Sequence, residues 1–132
     1  MTPSTITRIT SARVYPVLPA EDLTRARTFY HETLGFEVED LPEAHEFLIH
    51  AGDGTGLLVY ETGHTKAEHT VATILVDDLA STMSELASRG VTFEEYDLPG
   101  LKTVNGVANL GGDESAWFTD TEGNIISLAH MN

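Results

Sequence analysis

The feature that most constrains the fold of this chain is a pair of signals that occurs twice. A helical pattern starts after Asp22 and another after Asp78, 56 residues later. Each pattern ends at a glycine, Gly35 in the first half and Gly90 in the second, 55 residues apart. Aspartate favours the N-cap of a helix, and glycine favours the left-handed residue that ends one. Two independent signals that recur at nearly one period indicate an internal duplication.

In each half the hydrophobic pattern predicts a strand, then a helix, then further strands. The elements predicted for the first half are a strand over 13–19, a helix over 23–34 and a hairpin of strands 46–50 and 57–61. Those predicted for the second half are a strand over 71–76, a helix that follows Asp78 and a hairpin of strands 116–119 and 125–128. Residues 97–115 contain four glycines with little periodicity, which predicts an irregular surface loop.

Composition excludes several classes of partner and chemistry. The 132 residues include 21 acidic and 7 basic side chains, a formal net charge of -14, and the basic residues form no tight cluster. Nucleic acid and anionic membrane surfaces need a positive surface, so neither is expected as a partner. The absence of cysteine excludes disulfides, thiol nucleophiles and cysteine-ligated zinc. Residues 1–10 contain no apolar run long enough for a signal sequence or a membrane span, so a cytoplasmic location is expected.

Two sequence motifs carry a family resemblance. The runs YPVLPAEDLTRARTFYHETLGF (Tyr15–Phe36) and AWFTDTEGNIISL (Ala116–Leu128) resemble the vicinal oxygen chelate superfamily, which includes glyoxalase I, extradiol dioxygenases and bleomycin-resistance proteins. The resemblance implies one α+β domain over 1–132. Two βαβββ modules, about 11–66 and about 67–132, would form open curled sheets around a cup-shaped pocket. It also implies a homodimer.

The resemblance directs attention to four positions. Metal-using members of the superfamily hold a divalent ion with a residue on the first strand and one on the last strand of each module, usually histidine and glutamate. The matching positions here hold Tyr15, Val59, Val71 and Ser127. Valine has no ligand atom, a serine hydroxyl is a poor ligand, and a neutral phenol needs activation. We therefore expect no metal ion and no other cofactor.

Two further residues are candidates for contact with a ligand. Trp117, the only tryptophan, is predicted to lie opposite Ser127 in the second hairpin, where its ring can stack on a planar or cationic molecule. Core packing is the alternative for this ring. The six histidines show no convincing metal-ligand spacing, and His64 and His69 fall in a polar linker. His50 stays a candidate because it shares the strand phase of Leu48.

The segment Pro16–Pro19 before Asp22 most resembles bleomycin-resistance proteins, which lack the metal and sequester a cationic drug. We therefore interpret the chain as a metal-independent binder of a small aromatic or cationic molecule. The predicted ligand-binding residues are Tyr15, His50, Val59, Val71, Trp117 and Ser127. One alternative is a glyoxalase-like lyase or isomerase, with a non-standard metal site or metal-free acid-base catalysis. Another is a relative whose pocket has closed and which binds a protein instead.

Overall fold

The computed structural model describes residues 12–63 and 66–131, so the predictions for residues 1–10 and for His64 lie outside the described residues. The elements of the first half are β1 (Val17–Ala20), α1 (Leu23–Thr28), β2 (Glu37–Leu41), β3 (Glu46–His50) and β4 (Gly56–Glu61). The elements of the second half are β5 (Thr70–Leu75), α2 (Leu79–Ser88), β6 (Asp97–Leu98), β7 (Leu101–Lys102), β8 (Ala108–Leu110), β9 (Asp113–Thr119) and β10 (Ile125–His130). No described helix is long and apolar enough to cross a lipid bilayer.

The two halves share one topology, as the duplication predicts. Sheet A has the strand order β1-β4-β3-β2, and sheet B has the order β5-β10-β9-β8. In both sheets the first strand of the module pairs in parallel with the last, and the other neighbours are antiparallel. The predicted α+β fold of two βαβββ modules is confirmed.

The first helix begins where the sequence predicts but changes its winding before it ends. Asp22 is the N-cap, and its side chain accepts a hydrogen bond from the N–H of Arg25 at 3.0 Å. After α1 the chain forms a π-helical turn over Phe29–Thr33, in which the N–H of Leu34 donates to the carbonyl of Phe29. Gly35 then has a φ of 86°, so it ends the helical segment as predicted.

Two predicted boundaries are corrected by the structure. The first strand starts at Val17 rather than at Arg13, and Pro16 before it contributes only a carbonyl, which accepts from the N–H of Leu58. The predicted irregular loop over 97–115 contains regular structure. It includes the β6–β7 hairpin, the short strand β8 that pairs with β9, and the first residues of β9 itself. The glycines in this region occupy tight turns between short strands, which is why no periodicity is visible in the sequence.

The first helical segment lies between the two sheets. The ring of Tyr30 is 6.4 Å from that of Phe47 in β3 of sheet A, and the adjacent ring of Phe29 is 6.1 Å from that of Phe118 in β9 of sheet B. Buried residues of both sheets and both helices form one continuous core cluster. We call the side of each sheet that faces this core the helix face and the opposite side the cup face. Because α1 packs between the two helix faces, the two cup faces lie on opposite outer sides of the chain.

The turn over residues 120–124, which we call the clasp, joins the second module to the start of α1. The side chain of Glu122 has no exposed surface, and its Oε1 atom accepts hydrogen bonds from the backbone N–H groups of Glu21 and Asp22, both at 2.9 Å. Arg25 donates from Nε to Oε2 at 2.7 Å. Burial would raise the pKa of Glu122, but hydrogen bonds from Arg25, Asp22 and Thr121 outweigh it and lower that pKa to about 2.

Two other residues of the clasp have the turn roles that the sequence predicts and also reach the first module. Asp120 accepts from the N–H groups of Glu122 and Asn124 and from the hydroxyl of Tyr30, the last at 2.5 Å. Burial and the neighbouring carboxylate raise the pKa of Tyr30 well above its usual value, so this phenol stays protonated and donates. The side-chain amide of Asn124 donates to the carbonyl of Pro19 at 2.9 Å. The clasp therefore fixes the position of one module relative to the other.

Candidate functional site

The cup face of sheet A combines apolar and acidic side chains. Strand register places Leu48 opposite Leu58 and Glu46 opposite Tyr60 on this face. Glu39 of β2 lies opposite Leu48 on the same face. The two leucines are half-buried, and Tyr60 remains 38% exposed. An apolar floor edged by carboxylates can accept a ligand that carries both an aromatic or aliphatic body and a positive group.

His50 belongs to this same cup face, at the end of β3. Its Nε2 atom is 2.9 Å from Oε1 of Glu39, and both side chains are exposed. A carboxylate in this position orients the imidazole ring. The structure thus places the predicted candidate His50 beside Glu39, which the sequence analysis did not select because the two residues lie on different strands.

Tyr15 lies over the turn that joins β3 to β4. Its hydroxyl donates to the carbonyl of Gly54 at 3.2 Å. Gly56 beneath it has no room for a side chain, because a Cβ atom there would be 2.1 Å from the carbonyl oxygen of Ile49 and 3.3 Å from the Tyr15 ring. The tyrosine is half-buried, close to the end of the β3–β4 hairpin where His50 also lies.

Val59 does not lie on a cup face, contrary to the sequence prediction. It pairs with Leu18 of β1 and Phe47 of β3, and all three side chains belong to the core cluster on the helix face. Side chains alternate along a strand, so a shift of one position reverses the face. The cup-face residue of β4 at this level is Leu58, whose neighbour on β1 is Val17.

The cup face of sheet B contains Trp117 and Ser127, which lie opposite each other as predicted. The hydroxyl oxygens of Ser127 and Thr73 are 2.6 Å apart. The indole Nε1 of Trp117 donates to the hydroxyl of Thr70 at 3.1 Å. These contacts create a row of polar groups across β9, β10 and β5, with the indole ring at one end.

The segment before the β6–β7 hairpin packs against Trp117. The ring of Tyr96 meets the indole edge to face, with the ring centroids 5.6 Å apart. Two hydrogen bonds join Thr103 to Tyr96 across the β6–β7 hairpin. The hydroxyl of Thr103 accepts from the N–H of Tyr96, and the N–H of Thr103 donates to the carbonyl of Tyr96. Trp117 is only 9% exposed as a result. Burial, together with the charge of Glu94, raises the pKa of Tyr96.

Val71 lies at a register irregularity between β5 and β10. It is half-buried and packs against the core cluster, so its position differs from the pocket wall that the sequence predicts. The strand changes register there, which breaks the simple alternation on which the prediction depends. The six predicted residues therefore separate into three groups: Tyr15 and His50 with sheet A, Trp117 and Ser127 on the cup face of sheet B, and Val59 and Val71 packed against the core.

The side chains at the level of the expected metal ligands do not fit a divalent metal ion. At the level of the expected ligands, the structure pairs Val17 with Leu58 in sheet A and Thr73 with Ser127 in sheet B. These positions supply two hydroxyl groups and no imidazole or carboxylate, which is a poor donor set for such an ion. Within residues 12–63 and 66–131, no group of three or more histidine, aspartate or glutamate side chains could hold a metal ion.

Solved structures show the same fold. The integron cassette protein HFX_CASS4 from the mobile metagenome of Halifax Harbour Sewage Outfall aligns with a TM-score of 0.71 at 18% identity, covering 92% of this chain and 99% of its own. The antibiotic binding protein TnmS3 from Streptomyces sp. CB03234 aligns with a TM-score of 0.62 at 21% identity, covering 92% and 98%. Lactoylglutathione lyase from Agrobacterium tumefaciens aligns with a TM-score of 0.68 at 18% identity, covering 91% and 93%. At these identities the likeness is one of fold.

No curated protein matches the chain at a significant level. The model of the Glyoxalase/Bleomycin resistance protein/Dioxygenase superfamily, in contrast, matches residues 12–128, which is most of the sequence. The match includes both helix caps, both hairpins and the clasp. The chain therefore belongs to the Glyoxalase/Bleomycin resistance protein/Dioxygenase superfamily.

Proposed function

We propose that the protein is a cytoplasmic homodimer that binds a small aromatic or cationic molecule, such as an antibiotic, without a metal ion. The observation that carries this proposal is the cup face of sheet A. There the carboxylates of Glu39 and Glu46 lie beside Leu48, Leu58 and the exposed ring of Tyr60. Such a surface attracts a positive group and packs against a flat or aliphatic body. The net charge of -14 adds a long-range attraction for cations.

The arrangement of the sheets supports a dimer as the binding unit. One chain holds its two cup faces on opposite outer sides, so it cannot enclose a ligand between them. A two-fold axis that brings sheet A of one chain against sheet B of another would form two equivalent sites at once. Apolar residues exposed near the first strands of the modules fit such an interface, since Val14 is 83% exposed and Leu75 is 65% exposed.

The comparisons support binding as the class of function. TnmS3, which shares this fold, is described as an antibiotic binding protein. The donor set at the positions of the expected ligands does not fit a metal ion, which favours ligand capture over the metal-assisted chemistry of other superfamily members.

The test is titration of the full-length protein with cationic glycopeptide and aromatic antibiotics, followed by calorimetry and by the emission of Trp117. We expect saturable binding to at least one compound and weaker binding in Glu46→Gln. Glu43→Gln is the matched control, because Glu43 is an exposed glutamate that lies in the short helical turn between β2 and β3. If no compound in the panel binds, or if both variants weaken binding equally, the cup face is not the site.

The dimer has its own test. Light scattering after size exclusion should report a dimer for the native chain and a monomer for Leu75→Asp, because a charge in an apolar interface opposes association. Leu110→Asp serves as the control, since Leu110 is an exposed leucine at the other edge of sheet B. A monomeric native protein would contradict the shared site.

A metal-free acid-base enzyme is the second candidate function. The contact between His50 and Glu39 favours it, because a carboxylate that orients an imidazole is a common arrangement for proton transfer. Turnover of a hemithioacetal that is lost in His50→Gln would make this candidate the leading one. Absence of turnover, with transition metals supplied or withheld, would count against the glyoxalase-like reaction.

A further inference from the structure

A cavity of about 590 Å³ lies where the two modules meet, away from the cup face of sheet A and bordered by Thr73 at the edge of sheet B. Its walls are helix-face residues of both sheets: Ile49 and Leu57 of sheet A, and Ala72 and Ile74 of sheet B. The turn over residues 52–55 and the residues that lead into β1 complete the rim. Tyr15, His50, Trp117 and Ser127 are not among its lining residues.

The path of the first helical segment explains why this space is open. Tyr30 and Phe29 fill the gap between Phe47 of sheet A and Phe118 of sheet B. The chain turns away at Gly35, and Phe36 after it forms part of the cavity wall.

The lining is chemically suited to an apolar molecule. Most of the side chains that form it are aliphatic or aromatic, and within residues 12–63 and 66–131 they include no histidine, lysine or arginine. The hydroxyl of Thr73 already pairs with Ser127, and that of Thr55 donates to the carbonyl of Gly52. Among the described residues of the lining, Asp53 is the one ionisable side chain, and it lies in the exposed turn. An anionic ligand would lose its hydration here and find no positively charged partner among the described lining residues, and a cation would find a partner only at Asp53 on the rim.

We propose that this inter-module cavity is a binding site for a neutral, largely hydrocarbon small molecule. Its volume falls within the range of pockets that hold drug-sized ligands. The site is distinct from the proposed cup-face site, because it shares no residue with the acidic cup face of sheet A, although its rim includes Val14 and Leu75 of the proposed dimer interface. Burial of the ligand's apolar surface between the two sheets supplies the binding free energy.

The test uses two probes that share one aromatic skeleton. N-phenyl-1-naphthylamine is neutral, whereas 1-anilinonaphthalene-8-sulfonate carries a sulfonate, and both become more fluorescent in an apolar site. We expect the neutral probe to bind the full-length protein saturably and the sulfonate at least about tenfold more weakly. Methyl resonances of Ile49, Leu57 and Ile74 should shift on addition of the neutral probe, while those of Leu48 and Leu58 should not.

Cavity-filling variants locate the probe. Ala72→Phe and Ala51→Phe should each raise the Kd of the neutral probe by about tenfold or more. Two variants are needed because a phenyl group at the half-buried Ala72 can disturb folding, while Ala51 lies at the turn. Ala87→Phe adds the same group at an exposed position of α2 and should leave the Kd unchanged. The proposal is wrong if the neutral probe does not saturate, if the filled variants bind it as the native chain does, or if only the cup-face methyl groups shift.

A ligand of the cup face gives a different result in the same experiments. It would shift Leu48 and Leu58, lose affinity in Glu46→Gln, and be unaffected by Ala51→Phe. Failure of the cavity proposal and failure of the proposed function can therefore be told apart.

Discussion

Arg25 and Glu122 belong to different modules, yet the guanidinium Nε of the first is 2.7 Å from a carboxylate oxygen of the second, whose side chain has no exposed surface. The same carboxylate accepts two backbone N–H groups at the start of α1. A buried charge is stable only while its donors remain in place. This contact is therefore a point at which the stability of each module depends on the other.

The Glu122 carboxylate of the clasp should make the stability of the folded protein fall at low pH. The pKa of Glu122 is about 2 in the folded state against 4.5 for the ordinary group, so its stabilisation is complete above about pH 4.5 and is lost as the pH falls towards 2. This group alone should lower the free energy of unfolding by about 3 kcal/mol over that window. Denaturation measured from pH 7 to pH 2 checks this.

Glu122→Gln should be less stable than the native chain at pH 7 and should lack that part of the acid dependence. Glu85→Gln is the control, because Glu85 forms an exposed ion pair with Arg89 and such pairs contribute little. If the free energy of unfolding of the native protein and of Glu122→Gln changed with pH in parallel, the low pKa of Glu122 would not be the source of the acid dependence.

Gly56 should tolerate no side chain, and Gly52 in the same hairpin should tolerate one. A Cβ atom at Gly56 would be 2.1 Å from a backbone oxygen, whereas nothing lies within 4 Å of a Cβ atom at Gly52. Thermal denaturation should show Gly56→Ala less stable by about 2 kcal/mol or more and Gly52→Ala within about 0.5 kcal/mol of the native chain. Equal stability of the two variants would mean that the β3–β4 turn differs from the one described.

Adjacent residues of β4 should respond in opposite ways to truncation. Val59 packs in the core, so Val59→Ala should cost about 2 kcal/mol of stability with little effect on a cup-face ligand. Leu58 lies on the cup face, so Leu58→Ala should cost less stability and weaken that ligand. Chemical denaturation and calorimetry on both variants provide the check. If Val59→Ala weakened ligand binding and Leu58→Ala mainly lowered stability, Val59 would lie on the pocket wall after all.

Elemental analysis of untagged protein purified without chelator should find less than about a tenth of an equivalent of any transition metal. The reason is the donor set at the positions of the expected ligands, which hold valine, leucine and hydroxyl side chains in place of strong ligands. A near-stoichiometric metal would overturn the metal-free proposal, and His50, Glu61 and His69 would then be the first residues to mutate.

Local signals predicted much of this fold. Asp22 and Asp78 cap their helices, and Gly35 and Gly90 end them. These features could be predicted because a helix cap depends on neighbours within a few residues. The pairing of Trp117 with Ser127 followed from the turn between them. Periodicity and turn chemistry act over short distances, so one sequence suffices to find them.

The face of Val59 could not be predicted because the two hairpins have different turns. Aligning Gly56 with Asn124 made Val59 the residue that corresponds to Ser127 in the other module. The observed strand pairings show that Leu58 is the residue that corresponds to that serine. A difference of one residue in turn length is enough to reverse a whole strand. The contacts of Tyr96 with Trp117, and of Glu39 with His50, join separate strands or loops and have no local signature in the sequence.

The clasp also sets an order of events during synthesis. Glu21, just before α1, and Glu122, in the β9–β10 turn, are 101 positions apart, and the backbone N–H of Glu21 donates a hydrogen bond to the carboxylate of Glu122. When only the first module has emerged from the ribosome, Glu122, whose carboxylate binds the start of α1, has not yet been synthesised. The hydrogen bonds from the start of α1 to the clasp can therefore form only after the second module has been synthesised.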